Sequence, residues 1–142
     1  MYATKQGMID AFGEDEVIAL TNLEDLGDVI DDTRLNAALE YAVAEVDSRL
    51  GARFILPLLS VPLVLKNKTL DIARYQLEHG KPREDVVKRY DDAIAWLNQV
   101  VSGKVSLGDA VVPPSAITGE VIELPVYSSN QRVFSLSTLW DY

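Results

Sequence analysis

The side chains that most often carry out acid–base or metal chemistry are scarce in this sequence. His79 is the one histidine among 142 residues, and the chain contains no cysteine. A two-histidine metal site, a thiolate nucleophile and a cysteine-bound zinc are therefore excluded. His79 precedes Gly80 at a predicted helix end, where a protonated imidazole would face the negative pole of the helix. We interpret His79 as a structural residue.

Two pairs of adjacent aspartates are the remaining candidates for metal binding or acid–base chemistry. They are Asp31 with Asp32, and Asp91 with Asp92. Adjacent helical residues do not face each other, so helix capping and solvated faces explain both pairs better than a shared metal ion. The glycine-rich motifs that bind nucleotide phosphates are also missing. The sequence predicts no catalytic residue, no metal and no cofactor, and hence no enzyme.

Three further charged residues lie beside apolar positions of predicted helices. They are Asp47, Asp71 and Arg74. We expect them to form a partly buried ion network with a structural role.

The composition is that of a soluble globular protein with one domain. Hydrophobic residues make up 48% and charged residues 25% of the 142 residues, which is enough for one core and too little for two domains. No apolar run approaches the roughly 20 residues that a membrane helix needs. Residues 1–16 lack the pattern of a signal peptide. The sequence therefore predicts assembly in a cytoplasm and no membrane partner.

The chain is acidic, with 13 lysines and arginines against 22 aspartates and glutamates, a net charge of −9. Affinity for nucleic acid comes largely from cations that displace counterions, so we predict no specific nucleic-acid binding. A protein that lets DNA slide past would tolerate this charge. On the charge alone, solubility is the simpler explanation.

A helix over residues 33–50, followed by an apolar connector, is the predicted centre of the fold. Asp32 or Thr33 could cap its start, and Gly51 could end it in the left-handed conformation. Its apolar residues recur at steps of three and four: Leu35, Ala38, Leu39, Ala42, Val43, Val46 and Leu50. Residues 54–58 are too apolar for a free loop, and Pro57 excludes helix there, so we expect a buried, extended connector.

Four other helices are predicted around this centre. Two short ones span residues 5–11, capped by Thr4, and 14–20, separated by Gly13. A third begins near Pro62 and runs to Gly80, and the fourth spans residues 83–101. The short link between the last two implies antiparallel neighbours. The fold class is therefore mainly α, a compact bundle of about four to five helices over residues 1–108.

Residues 109–142 lack the helical pattern of the preceding residues, and we predict that they form an extended, partly β tail. Residues 119–127 are β-prone but interrupted by Pro125. We expect this segment either to fold back as strands or to bind another subunit, because disordered linkers are usually poor in aromatic residues. The candidate interaction residues are Val121, Leu124, Val126, Phe134, Leu136, Leu139 and Trp140.

Several stretches together resemble a family of small virion proteins from Mu-like phages and prophages. They are AEVDSRL (44–50), ARFILPL (52–58), DIARYQL (71–77) and RYDDAIAWL (89–97), with a matching opening in residues 2–20. The resemblance covers about residues 2–107 and rests on packing motifs. It implies a head-completion or head–tail connector protein, a homo-oligomeric ring below the portal through which DNA passes. The implied partners are portal and tail or neck proteins, and the implied location is the virion, assembled in the bacterial host cytoplasm.

Two interpretations of different kinds follow. In one, the helices form a protomer of a structural ring and the tail docks on a neighbour or on the portal. In the other, the chain is a small non-catalytic binding or regulatory module whose tail folds onto its own core.

Overall fold

The computed structural model describes residues 2–23 and 27–108, which form five α-helices and no β-strand. The helices are α1 (Lys5–Phe12), α2 (Glu14–Thr21), α3 (Asp32–Leu50), α4 (Leu63–Leu77) and α5 (Glu84–Val101). The predicted mainly helical bundle is confirmed. The predicted extended, partly β tail (residues 109–142) lies outside the described residues, and the domain division at residue 108 stays a prediction.

Two local features separate α1 from α2. The Thr4 hydroxyl caps α1 by accepting a hydrogen bond from the Gly7 N–H at 3.1 Å, as predicted. Gly13 has φ +89° and ψ 150°, a backbone region open in practice to glycine alone. The chain therefore leaves α1 and enters α2 within one residue.

The ends of α3 differ from the prediction. Its cap is Asp31, whose Oδ1 accepts hydrogen bonds from the N–H groups of Thr33 at 2.9 Å and Arg34 at 3.2 Å. Asp32 is already helical, so it cannot take the cap position. Gly51 has φ −60° and ψ −18°, so it continues the right-handed turn instead of taking the left-handed conformation. Its lack of a side chain serves packing, because an added Cβ would lie 3.1 Å from the Asp47 carbonyl oxygen.

The core forms around α3 and α4. The α3 helix packs against both α4 and α5, α4 packs against α5, and α1 and α2 contact α4 and α3 respectively. The largest fully buried apolar side chains come from all five helices: Met8, Val17, Leu35, Val46, Leu50, Leu65, Ile72, Leu77, Val86, Leu97 and Val100. The stripe that periodicity predicted is thus the core face of α3. Val43, which the predicted stripe contains, is only half-buried because it lies at the edge of this face.

The connector between α3 and α4 is buried on one side only. Phe54 is buried, and Leu56, Leu58 and Val61 pack partly buried against the core. Ile55 and other large apolar residues of the same stretch face solvent. The prediction of a buried connector is wrong for these side chains, because successive side chains of an extended chain point to opposite sides.

Candidate interaction site

Charged side chains meet where α2, α4 and the start of α5 come together. The Arg74 guanidinium donates to Glu16 Oε1 at 2.8 Å and lies 4.7 Å from the centre of the Phe12 ring. Arg83 pairs with the same Glu16 oxygen and, at 2.8 Å, with Glu78. The hydrogen bond from Arg83 is the main reason that the pKa of Glu16 lies below its ordinary value. These ion pairs connect α2 to α4 and to the residues that precede α5, and their role is structural.

Asp47, Asp71 and Arg74 do not form the expected network of ion pairs with one another, although the charge of Arg74 acts on Asp71. Arg74 turns to Glu16 of α2, whereas Asp71 lies 3.8 Å from Arg89 of α5. Burial raises the pKa of Asp71, although the neighbouring cations oppose that shift. Arg74 and Asp71 therefore pair with different helices, which the apolar periodicity of single helices could not reveal.

Asp47 instead joins Tyr2, a buried residue ahead of α1. Burial is the main cause that raises the pKa of the Tyr2 hydroxyl, followed by its hydrogen bond to Asp47 and the negative charge of that carboxylate. The backbone of Leu58 also bonds to the hydroxyl. Tyr2 thus connects the N-terminal residues to α3 and to the connector.

A second polar contact joins α3 to α5. Glu45 accepts hydrogen bonds from Arg49 at 3.1 Å and from the Tyr90 hydroxyl at 3.3 Å. Burial, and then the charge of Glu45, raise the pKa of Tyr90. The Tyr90 ring stacks on Tyr75 of α4 with ring centres 4.2 Å apart. These contacts fix α5 against α3 and α4.

The residues singled out for chemistry do not form a common site. The α4 helix ends at Leu77, earlier than expected, and the His79 ring lies beside the Arg34 guanidinium, with Arg34 Nη2 3.0 Å from His79 Nδ1. Asp31 caps α3 and Asp32 pairs with Lys5 at 2.5 Å. Within residues 2–23 and 27–108, no group of three potential metal ligands comes together.

The side chains best placed to meet a partner are apolar and lie on the connector and the first turn of α4. We call them the apolar surface: Ile55, Leu59, Leu63 and Val64. Leu59 is 91% exposed and Leu63 is 71% exposed, and the other two are half exposed. Residues 54–64 contain no charged side chain, although the whole chain carries a net charge of −9. This combination is typical of a protein–protein contact rather than a solvated loop.

The connector that carries part of the apolar surface begins beside the end of α5. The Arg53 Nη1 donates to the carbonyl oxygen of Val101, the last residue of α5, at 3.1 Å. An added Cβ at Gly103 would collide with the same guanidinium. The connector that carries the apolar surface therefore begins beside the end of α5, from which the chain continues toward residue 109.

A groove of about 490 Å³ between α4 and α5 is a further candidate. Its lining mixes Tyr75 and Val87 with charged side chains such as Lys88 and Asp91. The apolar surface is the better candidate for a stable contact, because no charge would have to be desolvated within residues 54–64.

Comparison with known proteins connects this architecture to a phage family. The family model described as "Bacteriophage Mu, Gp36" matches residues 2–122. Gene product J of Escherichia phage Mu is 31% identical over 138 residues, which cover 94% of this chain and 98% of that protein. This chain belongs to the phage Mu Gp36 family. The resemblance to Mu-like phage and prophage proteins is thereby confirmed.

A prophage relative of the Gp36 family is also similar. The Mu-like prophage FluMu protein gp36 of Haemophilus influenzae is 42% identical over 79 residues. That match spans 56% of this chain and 56% of the FluMu protein, just over half of each.

The predicted interaction residues of this Gp36-family chain, from Val121 to Trp140, lie outside the described residues, so their role stays a prediction. In residues 2–23 and 27–108, no helix is long and apolar enough to cross a membrane. The exposure of Leu59, Leu63 and Val64 was not predicted from the sequence. The sequence does contain an indication of this exposure. Residues 54–64 are apolar apart from Ser60, and a connector that packs on the core with one side cannot bury all of these side chains.

Proposed function

We propose that this Gp36-family protein is a structural component of the virion. It acts as a head-completion or head–tail connector protein that forms or joins a ring at the portal–tail junction. Its partners are the portal, the tail or neck proteins and further copies of itself. It is assembled in the host cytoplasm, performs no catalysis, and lets DNA pass through the ring without gripping it.

The apolar surface is the observation that carries this proposal. Its side chains stand at least half exposed beside a helical core whose own apolar residues are well buried. Fully burying one Leu or Val side chain contributes about 1.5–3 kcal/mol relative to leaving it in water. A protein–protein contact that covers Leu59 and the other side chains of the apolar surface would be stabilised by this free energy. The subunits of an assembly make contacts of this kind.

The family and the charge support the same proposal. Gene product J, the relative that matches most of this chain, belongs to a phage, and the FluMu relative to a Mu-like prophage. A net charge of −9 favours repulsion of phosphates over binding, which suits a passage for DNA.

Removal of residues 119–142 tests the proposal together with binding to the portal protein of the same phage. We expect the shortened protein to keep its helical circular dichroism and cooperative melting, because the five helices supply a buried apolar core of their own. We expect it to lose co-sedimentation with the portal and neighbouring subunits. The measured quantities are the melting temperature and the bound fraction in the sedimenting complex.

A full-length pair of variants controls for the loss of mass. Phe134→Ser with Trp140→Ser should weaken co-sedimentation as the deletion does, whereas Ser129→Ala with Asn130→Ala should leave it unchanged. Collapse of the helical core on deletion would favour the self-contained binding module instead. Failure of the wild-type protein to bind the portal would contradict the connector role.

A further inference from the structure

The four exposed side chains of the apolar surface lie within ten residues of chain that no charge interrupts, which is typical of a surface that binds a partner. Ile55 and Leu59 come from the connector, and Leu63 and Val64 from the first turn of α4. Tyr2 and the core contacts of Leu56, Leu58 and Val61 hold this stretch against the domain. The backbone of this stretch is therefore attached to the core, which lowers the entropic cost of binding a partner.

The same chain contains a segment of complementary chemistry. Residues 119–142 include the seven apolar candidate interaction residues and only four charged residues, Glu120, Glu123, Arg132 and Asp141. The seven are Val121, Leu124, Val126, Phe134, Leu136, Leu139 and Trp140. Aromatic anchors such as Phe134 and Trp140 dominate the free energy of many protein interfaces when they enter apolar surfaces.

The composition of the intervening chain favours a neighbour's tail over the domain's own. Residues 109–118 can span at most about 35 Å when fully extended. Pro113 and Pro114 in this spacer favour an extended backbone, because each proline also restricts the residue before it. The chain leaves α5 beside Arg53 and the connector. Because a backbone that favours extension disfavours a tight return to the adjacent surface of the same domain, the composition of the spacer favours the surface of a neighbouring copy.

Resting on the connector role proposed above, we infer that the apolar surface binds residues 119–142 of a neighbouring copy of this chain. Donor and receptor are then different parts of the molecule, so each copy receives one tail and supplies one. Such a head-to-tail interface generates a closed ring when the rotation between copies closes. The inference thus names the contact between subunits of the proposed ring.

Disulfide cross-linking between two single-cysteine variants tests this contact directly. The natural chain has no cysteine, so every cross-link comes from the introduced pair. Full-length Leu59→Cys and Trp140→Cys proteins are mixed and oxidised, once without and once with the portal protein. One of the two carries an affinity tag, so that the mixed dimer differs in size from dimers of a single variant. We expect at least tenfold more mixed dimer than from Leu23→Cys with Trp140→Cys, since Leu23 is an exposed leucine on another part of the domain.

A double variant with Leu59→Cys and Trp140→Cys in one chain distinguishes binding of the chain's own tail from binding of a neighbour's tail. A cross-link that forms within the double variant, and not between the single variants, would overturn the inference and assign the surface to the chain's own tail. A mixed dimer no more abundant than with the Leu23 control would overturn it as well.

A matched pair of surface variants separates this inference from the connector role. Leu59→Ser with Val64→Ser should reduce association between copies at least tenfold in sedimentation velocity, whereas Leu23→Ser with Val29→Ser, also exposed, should not. Portal binding by the wild-type protein without any mixed dimer would refute the inference and leave the connector role standing. Absence of both would refute both.

Discussion

Leu97 and Leu59 are two leucines of this chain in opposite environments. Leu97 lies on α5 and is fully buried in the core, whereas Leu59 is almost fully exposed on the connector. A buried leucine contributes through the contacts and the apolar area that it removes from water, and an exposed one contributes neither. The same residue type therefore serves stability at one position and, on our proposal, association at the other.

Truncation of Leu97 to alanine should destabilise the domain by about 2–5 kcal/mol, because it leaves a cavity between α5 and its neighbours. Urea unfolding followed by circular dichroism measures the change in the free energy of unfolding. The matched control is Leu59→Ala, for which we expect a change within about 0.5 kcal/mol. A Leu97→Ala protein as stable as the wild type would contradict the proposed core.

At the scale of the elements, Glu16 connects three parts of the fold that are distant along the chain. It lies on α2 and accepts from Arg74 of α4 and from Arg83, the residue before α5. Because the paired carboxylate must be ionised, its contribution to stability depends on pH. The pKa of Glu16 is lowered from its ordinary value of 4.5 in the folded protein, chiefly by Arg83. The contribution is therefore complete above pH 4.5 and is lost as the pH falls through the lower folded value.

Glu16→Gln should lower the free energy of unfolding at pH 7 by about 0.5–1 kcal/mol, a modest value because the cluster is partly solvated. The difference from the wild type should shrink as the pH drops below 4.5. Urea unfolding at a series of pH values measures it. Glu14→Gln, an exposed carboxylate in the same first turn of α2, is the control and should change stability less. A difference that grows on acidification would show that another group carries the effect.

At the scale of the whole molecule, acidic and apolar character are separated. The chain has a net charge of −9, yet residues 54–64 carry no charge at all. An acidic exterior keeps the protein from phosphates and from non-specific contacts, and the uncharged stretch leaves one region where association costs little desolvation. This division suits a subunit that binds protein neighbours beside a path for DNA.

The isolated protein should therefore show no salt-sensitive binding to duplex DNA at physiological ionic strength. A gel-shift titration at several salt concentrations, with a basic DNA-binding protein as positive control, measures this. Micromolar affinity that falls steeply with added salt would contradict the proposed passive passage of DNA.

The helices followed from the sequence because their causes are local. The apolar residues of α3 and α5 recur at helical spacing. Thr4 caps α1 through a hydrogen bond to a residue three positions along, and Gly13 separates the two short helices. Length, charge and the absence of cysteine likewise needed no structure. The family resemblance rested on packing motifs in these same helices.

The partners of individual side chains needed the tertiary structure. Arg74 bonds Glu16, 58 residues away, and Tyr2 bonds Asp47, so neither pairing follows from the spacing within one helix. The burial of the connector residues also depends on the tertiary structure. Phe54 and Leu59 are both large apolar residues of the same stretch, but Phe54 is buried and Leu59 is exposed. Periodicity reports which side chains share a face of one element. Which face is covered depends on the elements that pack against it, and only the folded molecule determines that.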